Sequence, residues 1–123
     1  MKIVKSTAVV MLVLLSIVSI YAKDKTVEGE LVDVTCNMGG ATGAKHQMCA
    51  IACARNGQPI GIAAKDGKIY TLATMSPKLS EYMQKTIKVT GKYDQASQSI
   101  KPSQLFVKEG RKWVEIDIPK LMM

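Results

Sequence analysis

Short β-prone runs separated by turn residues dominate the chain after its N-terminal segment. Residues 26–36 form one such run, with Gly29 as a bulge or bend. Residues 59–74 form two further runs around Asp66-Gly67, a dipeptide typical of tight hairpin turns. This region therefore predicts a strand followed by a hairpin.

The C-terminal half continues the same pattern. Residues 86–94 place apolar side chains at alternate positions, as in a strand that is buried on one face. Residues 99–119 predict two more short strands around Glu109-Gly110, and Pro102 predicts an edge or a break in the first of them.

Two segments have helical spacing instead. Residues 76–85 begin with a serine that can cap a helix and with Pro77 at the first helical position. Residues 44–56 have helical periodicity, and Gly57 supplies the left-handed residue that commonly ends a helix.

Five or six short strands with regular turns predict a small β-barrel. The fold class expected is mainly β with one or two short helices, as a small five-stranded OB-like barrel. The alternative is a small α+β sheet with its helices on one face. No repeat or linker interrupts residues 23–123, which predicts a single OB-like domain.

The N-terminal segment, residues 1–22, has the pattern of a signal peptide. Two lysines precede an uncharged apolar stretch that ends in a small residue, so cleavage is expected near Ala22. The protein is then exported, either to the periplasm or as a secreted protein. The alternative is an uncleaved N-terminal membrane anchor.

The charge distribution argues against a nucleic-acid partner. The net charge is +7, but the lysines are spread along the chain, which is typical of a solvated surface with at most weak affinity for anionic surfaces. Aromatic residues are few, and single-strand binding on a barrel face requires stacking rings. No nucleic-acid partner is expected, and a protein partner is not identified.

The candidate chemistry lies in one short segment. The three cysteines and the only histidine follow the pattern Cys-x9-His-x2-Cys-x3-Cys, formed by Cys36, His46, Cys49 and Cys53. Helical spacing predicts two opposite stripes on residues 44–56. These are Ala44, Met48 and Ile51, expected to face the barrel, and His46, Cys49 and Cys53.

The segment between the first cysteine and the helix is rich in glycine. Residues 39–43 are flexible enough to bring Cys36 back over the stripe that carries the other two cysteines. Met38 adds a possible thioether ligand next to it. The four nitrogen and sulfur groups are thus expected to meet at one point.

Three interpretations of this cluster remain open. Thiolates with an imidazole suit Zn(II) in a Cys3His tetrahedron, or Cu(I) with its preference for sulfur. A disulfide of Cys36 with Cys49 or Cys53 would instead stabilise the domain by about 3 kcal/mol. In the third, one cysteine attacks a disulfide of the other two, with His46 lowering a thiol pKa.

The preferred hypothesis is an exported binding module for copper or zinc, and not an enzyme. The odd number of cysteines leaves one thiol unexplained by any disulfide. Haem is not expected, because covalent attachment requires a histidine directly after a Cys-x-x-Cys pair. Nucleotide is not expected either, since the chain lacks a phosphate-binding loop.

The cysteine segment also carries a resemblance. Residues 29–62, GELVDVTCNMGGATGAKHQMCAIACARNGQPIGI, resemble a group of small exported bacterial OB-fold-like proteins of uncharacterised function with a C…HxxCAxxCAxxGxP motif. Residues 85–94, KTIKVTGKYD, are similar to the fourth strand of bacterial OB-fold proteins. The resemblance implies an exported OB-like domain. The motif positions are Cys36, His46, Cys49, Cys53, Gly57, Pro59 and Gly61.

Overall fold

The computed structural model describes residues 23–118. The predicted signal peptide, residues 1–22, and the last five residues lie outside the described part of the chain. Within residues 23–118, no helix has the length and apolar character needed to span a bilayer.

Six strands form the sheet within residues 23–118. They are β1 (Asp24–Asp33), β2 (Ile60–Ala64), β3 (Ile69–Leu72), β4 (Thr86–Asp94), β5 (Ser99–Glu109) and β6 (Lys112–Ile116). Neighbouring strands follow the order β3-β2-β1-β4-β5-β6, and a parallel pairing of β3 with β5 closes the first five into a barrel. The sixth strand adds to β5. The mainly β, OB-like barrel predicted from the sequence is confirmed.

The barrel interior is filled by the alternating apolar side chains of its strands. The buried residues include Val27 and Leu31 of β1, Ile60 and Ile62 of β2, Tyr70 and Leu72 of β3, Ile87 and Val89 of β4, and Ile100, Leu105 and Val107 of β5. Burial of each such side chain contributes roughly 1.5–3 kcal/mol. The alternation predicted for residues 86–94 is confirmed.

Two positions let strands bend around the barrel. At Gly29, β1 pairs with both β4 and β2, and a Cβ atom there would lie 2.2 Å from the carbonyl oxygen of Ala63. The register of β4 against β5 shifts between Thr90 and Gly91, the residue that pairs with Pro102. Pro102 therefore lies at a bulge inside a continuous strand and does not break it. On its other side no pairing is found for Pro102 among the described residues, and it lies between the parts of β5 that pair with β3 and with β6, so the expected edge position holds locally.

The first strand ends earlier than the sequence pattern predicted. Residues 34–36 belong to a short helix, α1 (Val34–Met38), and not to a strand. The carboxylate of Asp33 accepts hydrogen bonds from the backbone N–H groups of Thr35 and Cys36, which caps this helix. The local cap outweighs the β propensity of the residues that follow.

The predicted cysteine helix is confirmed, as a 3-10 turn (Ala44–His46) leading into α2 (Gln47–Arg55). Its end is a Schellman motif, in which Gln58 N–H donates to the Cys53 carbonyl and Gly57 N–H to the Ala54 carbonyl. Gly57 has a φ of 84°, the left-handed conformation that this motif needs.

The buried side of α2 differs from the predicted one. Ala50 and Ala54 are 0% exposed, whereas Met48 is 82% exposed, so of the predicted stripe only Ile51 packs against the core. These small side chains allow α2 to pack against a 3-10 helix (Ser76–Tyr82), the segment predicted as a short helix. Gln47 Nε2 also donates to the carbonyl of Met83, 3.1 Å away.

Candidate metal centre

The three cysteines lie on the two helices that connect β1 to β2. Cys36 is in α1, and Cys49 and Cys53 are one turn apart in α2. The loop between the helices folds back on α1, because Gly39 and Ala41 both donate backbone N–H groups to the Cys36 carbonyl at 3.0 Å. The glycine-rich loop thus returns the chain to the first cysteine, as the sequence suggested.

The three thiol sulfurs form a cluster, with each Sγ within 4.8 Å of the others. Zn–S bonds of about 2.3 Å place two ligand sulfurs of a tetrahedral site about 3.8 Å apart. The thiols therefore need to close by no more than about 1 Å around an ion. All three are free, and the alternative disulfide of Cys36 with Cys49 or Cys53 is not formed.

The cluster is open to solvent on one side. Cys49 is exposed, while Cys36 and Cys53 are half-buried. An ion can reach the three sulfurs from the Cys49 side without an opening of the barrel. The opposite, inner side of the cluster is occupied by a carboxylate.

That carboxylate belongs to Asp33, which is only 1% exposed. Its Oδ1 atom accepts the two capping hydrogen bonds, at 2.9 Å from Thr35 N and 3.4 Å from Cys36 N. Its Oδ2 atom is buried and has no hydrogen-bond partner in the described residues. The thiols of Cys53 and Cys36 also interact with the carboxylate, as weak donors that lower its pKa.

The carboxylate controls the acidity of two thiols. The hydrogen bond to Asp33 raises the pKa of Cys53 from 9.0 to about 12, with further contributions from burial and the negative charge of Asp33. The same hydrogen bond, followed by burial, raises the pKa of Cys36. Burial opposes ionisation of Asp33, but the hydrogen bonds from Cys53, Cys36 and Thr35 outweigh it and lower the pKa of Asp33. Both thiols are therefore protonated at neutral pH in the absence of a metal.

Sequence reasoning missed Asp33. The residue was assigned to a strand, although an aspartate just before a helical turn is a common N-cap. Recognition of that cap would have placed its carboxylate beside Cys36.

The other two predicted ligands lie outside the cluster. His46 is at the end of the 3-10 turn and is not among the side chains within 4.8 Å of one another. Its Nε2 atom is buried without a hydrogen-bond partner in the described residues. Met38 is 79% exposed at the end of α1. The ligand roles of His46 and Met38 stay predictions.

The chain matches no known family model, no curated protein and no solved structure. The resemblance of residues 29–62 to exported bacterial proteins therefore also stays a prediction. The geometry of the three thiols and the buried carboxylate is the basis for function.

Proposed function

We propose that the protein is a small binding module for a soft or borderline metal ion, Cu(I) or Zn(II). The observation that supports it is the group of three free thiols within 4.8 Å of one another. Thiolate sulfur is a ligand that both ions prefer. Cys36, Cys49 and Cys53 are the ligands, and the predicted fourth is His46.

The electrostatics of the cluster favour metal binding over thiol–disulfide exchange. A redox-active cysteine needs a lowered thiol pKa, whereas Asp33 raises the pKa of Cys53 and of Cys36. The negative charge of Asp33 opposes the formation of thiolates, but the same charge attracts a bound cation. The same carboxylate makes Cys36 and Cys53 weak nucleophiles for thiol–disulfide exchange, and it attracts the cation whose binding must displace their protons.

We place this module outside the cytoplasm, after cleavage near Ala22. The support is the charge and hydropathy pattern of residues 1–22. Oxidising compartments convert neighbouring thiols into disulfides. A bound metal would keep the three cysteines reduced there, and would explain their odd number.

The test is a metal titration of the reduced protein in the absence of oxygen. Zn(II) and Cu(I) are each titrated against a chelator of known affinity, and native mass spectrometry counts the bound ions. We expect a single ion per chain, lost when all three cysteines are replaced by serine. Met48→Leu, which changes an exposed sulfur outside the cluster, is the control and should bind normally. Equal binding by the triple variant and the wild type would refute the proposal.

A further inference from the structure

The Oδ2 atom of Asp33 is a buried acceptor without a hydrogen-bond partner in the described residues. Its partner oxygen is held by two backbone N–H groups, so the orientation of the carboxylate is fixed by the cap of α1. No lysine, arginine or histidine forms an ion pair with Asp33 within the described residues. A buried carboxylate oxygen that has neither a hydrogen bond nor a cation is unfavourable, so a positive group beside Oδ2 would stabilise it.

The groups that interact with this carboxylate belong to two of the proposed metal ligands, Cys36 and Cys53. The backbone N–H of Cys36 donates to its Oδ1 atom at 3.4 Å. A metal ion that binds both sulfurs displaces their protons to solvent. The carboxylate then faces the ion in place of those protons.

His46 has no comparable relation to the cluster. Asp33 and His46 both lie outside the group defined by the 4.8 Å separation. Asp33 accepts a hydrogen bond from the backbone N–H of Cys36, whereas His46 Nε2 has no hydrogen-bond partner in the described residues.

Charge also separates the two candidate ions. Three thiolates and one carboxylate carry four negative charges, and a divalent ion neutralises more of them than a monovalent one. Zn(II) prefers a closed tetrahedron of four ligands and accepts carboxylate oxygen, whereas Cu(I) is satisfied by sulfur alone.

We propose that Asp33 supplies the fourth ligand through Oδ2, giving a Cys3Asp site for a divalent ion such as Zn(II) in preference to Cu(I). This inference rests on the proposed function of the three cysteines. It replaces His46, the fourth ligand predicted from sequence, by a residue that the tertiary structure places at the inner side of the cluster.

The first experiment compares the Zn(II) affinity of Asp33→Asn and His46→Ala in the full chain. Asn also caps helices, so Asp33→Asn keeps the fold while it removes the anionic ligand. We expect Asp33→Asn to weaken Zn(II) binding by more than about 100-fold, beyond the loss usual for a residue that only orients a ligand. We expect His46→Ala to stay within about threefold of wild type. Asp94→Asn, which removes another aspartate that forms local hydrogen bonds, is the matched control and should bind normally.

The second experiment is X-ray absorption of the Zn(II)-loaded wild type, which does not depend on whether any variant folds. Oxygen and nitrogen ligands scatter almost alike, so the discriminating signal is the outer-shell scattering of an imidazole ring. We expect three sulfur ligands and one oxygen or nitrogen ligand without that signal, and the spectrum of His46→Ala should be the same.

Two results would overturn the inference and leave the proposed function intact. One is loss of Zn(II) binding in His46→Ala with normal binding in Asp33→Asn, or imidazole scattering in the wild-type spectrum. The other is a preference for Cu(I) over Zn(II) in direct competition that Asp33→Asn does not change. If neither metal binds more tightly to the wild type than to the triple cysteine variant, the proposed function fails and the inference fails with it.

Discussion

Replacement of Asp33 by Asn also tests the electrostatics of the cluster in the absence of metal. In the wild type, the hydrogen bond to Asp33 is the largest cause of the raised pKa of Cys53. Asn can still cap α1 through its side-chain oxygen but carries no charge. The variant should therefore lower the pKa of Cys53 and make its thiol more reactive.

The size of the effect follows from the pKa. A rise in the pKa of Cys53 from 9.0 to about 12 lowers its thiolate fraction about a thousandfold at a pH below both values. Nucleophilicity rises with thiol pKa with a Brønsted coefficient of about 0.4–0.5, which offsets about 15-fold to 30-fold of that loss. The net suppression of Cys53 is therefore about 30-fold to 60-fold. Burial and the neighbouring thiols remain in Asp33→Asn, so we expect the reaction rate of Cys53 to rise about tenfold.

The assay is the reaction of the reduced, metal-free protein with an aromatic disulfide at about pH 8. Mass spectrometry of peptides gives a separate rate for each cysteine, and the rate of the exposed Cys49 is recorded in the same sample. Asp94→Asn is the control, and circular dichroism verifies that each variant is folded. A folded Asp33→Asn protein whose Cys53 reacts within about twofold of the wild-type rate would refute the electrostatic argument.

Three further predictions concern stability. The metal-free protein should become less stable as the pH rises from 9 towards 12, because the raised pKa of Cys53 means that the native state holds the thiol proton more tightly than the unfolded state does. Urea unfolding midpoints measured at about pH 8 and about pH 10 should show this loss of stability, and Cys53→Ser should make the loss smaller. Ala50→Leu should lower the free energy of unfolding by about 1–3 kcal/mol, because its site against the 3-10 helix is fully buried. The exposed Ala52→Leu is its control in thermal denaturation and should change stability little. Gly91→Ala should cost about 2 kcal/mol or more in the same assay, since its Cβ would lie 2.0 Å from the Lys101 carbonyl oxygen. In Gly67→Ala the added Cβ meets open space, so this control should cost only about 1 kcal/mol, which comes from the φ of 82° at that position. Equal losses of stability in Gly91→Ala and Gly67→Ala would contradict the steric argument.

The barrel was predictable because its strands carry their own pattern. Alternation in residues 86–94 identifies the buried face of β4 before any partner is known. The Asp66-Gly67 turn and the glycine after α2 mark element ends through local backbone preferences. These signals depend on neighbours in sequence, so they can be read from the chain alone.

The cysteine cluster was predictable only in part. Helical spacing places Cys49 and Cys53 on one face of α2, and the glycine-rich loop allows Cys36 to approach them. Spacing also places His46 on that face, but the structure has His46 in the 3-10 turn before α2, where α-helical spacing does not hold. Which face of α2 meets Cys36 depends on the rotation of α2 against the barrel, and the burial of Ala50 and Ala54 reflects that rotation.

The role of Asp33 is the clearest case of a property that the sequence pattern does not contain. Its position in sequence predicts a residue at the end of a strand, and only the path of the chain makes it a buried cap beside two thiols. The sequence by itself determined the barrel strands, the cysteine helix and the residues able to bind a metal. The tertiary structure decided which of them meet, because contacts between β1, α1 and α2 depend on how the barrel closes and on which face of each helix is buried.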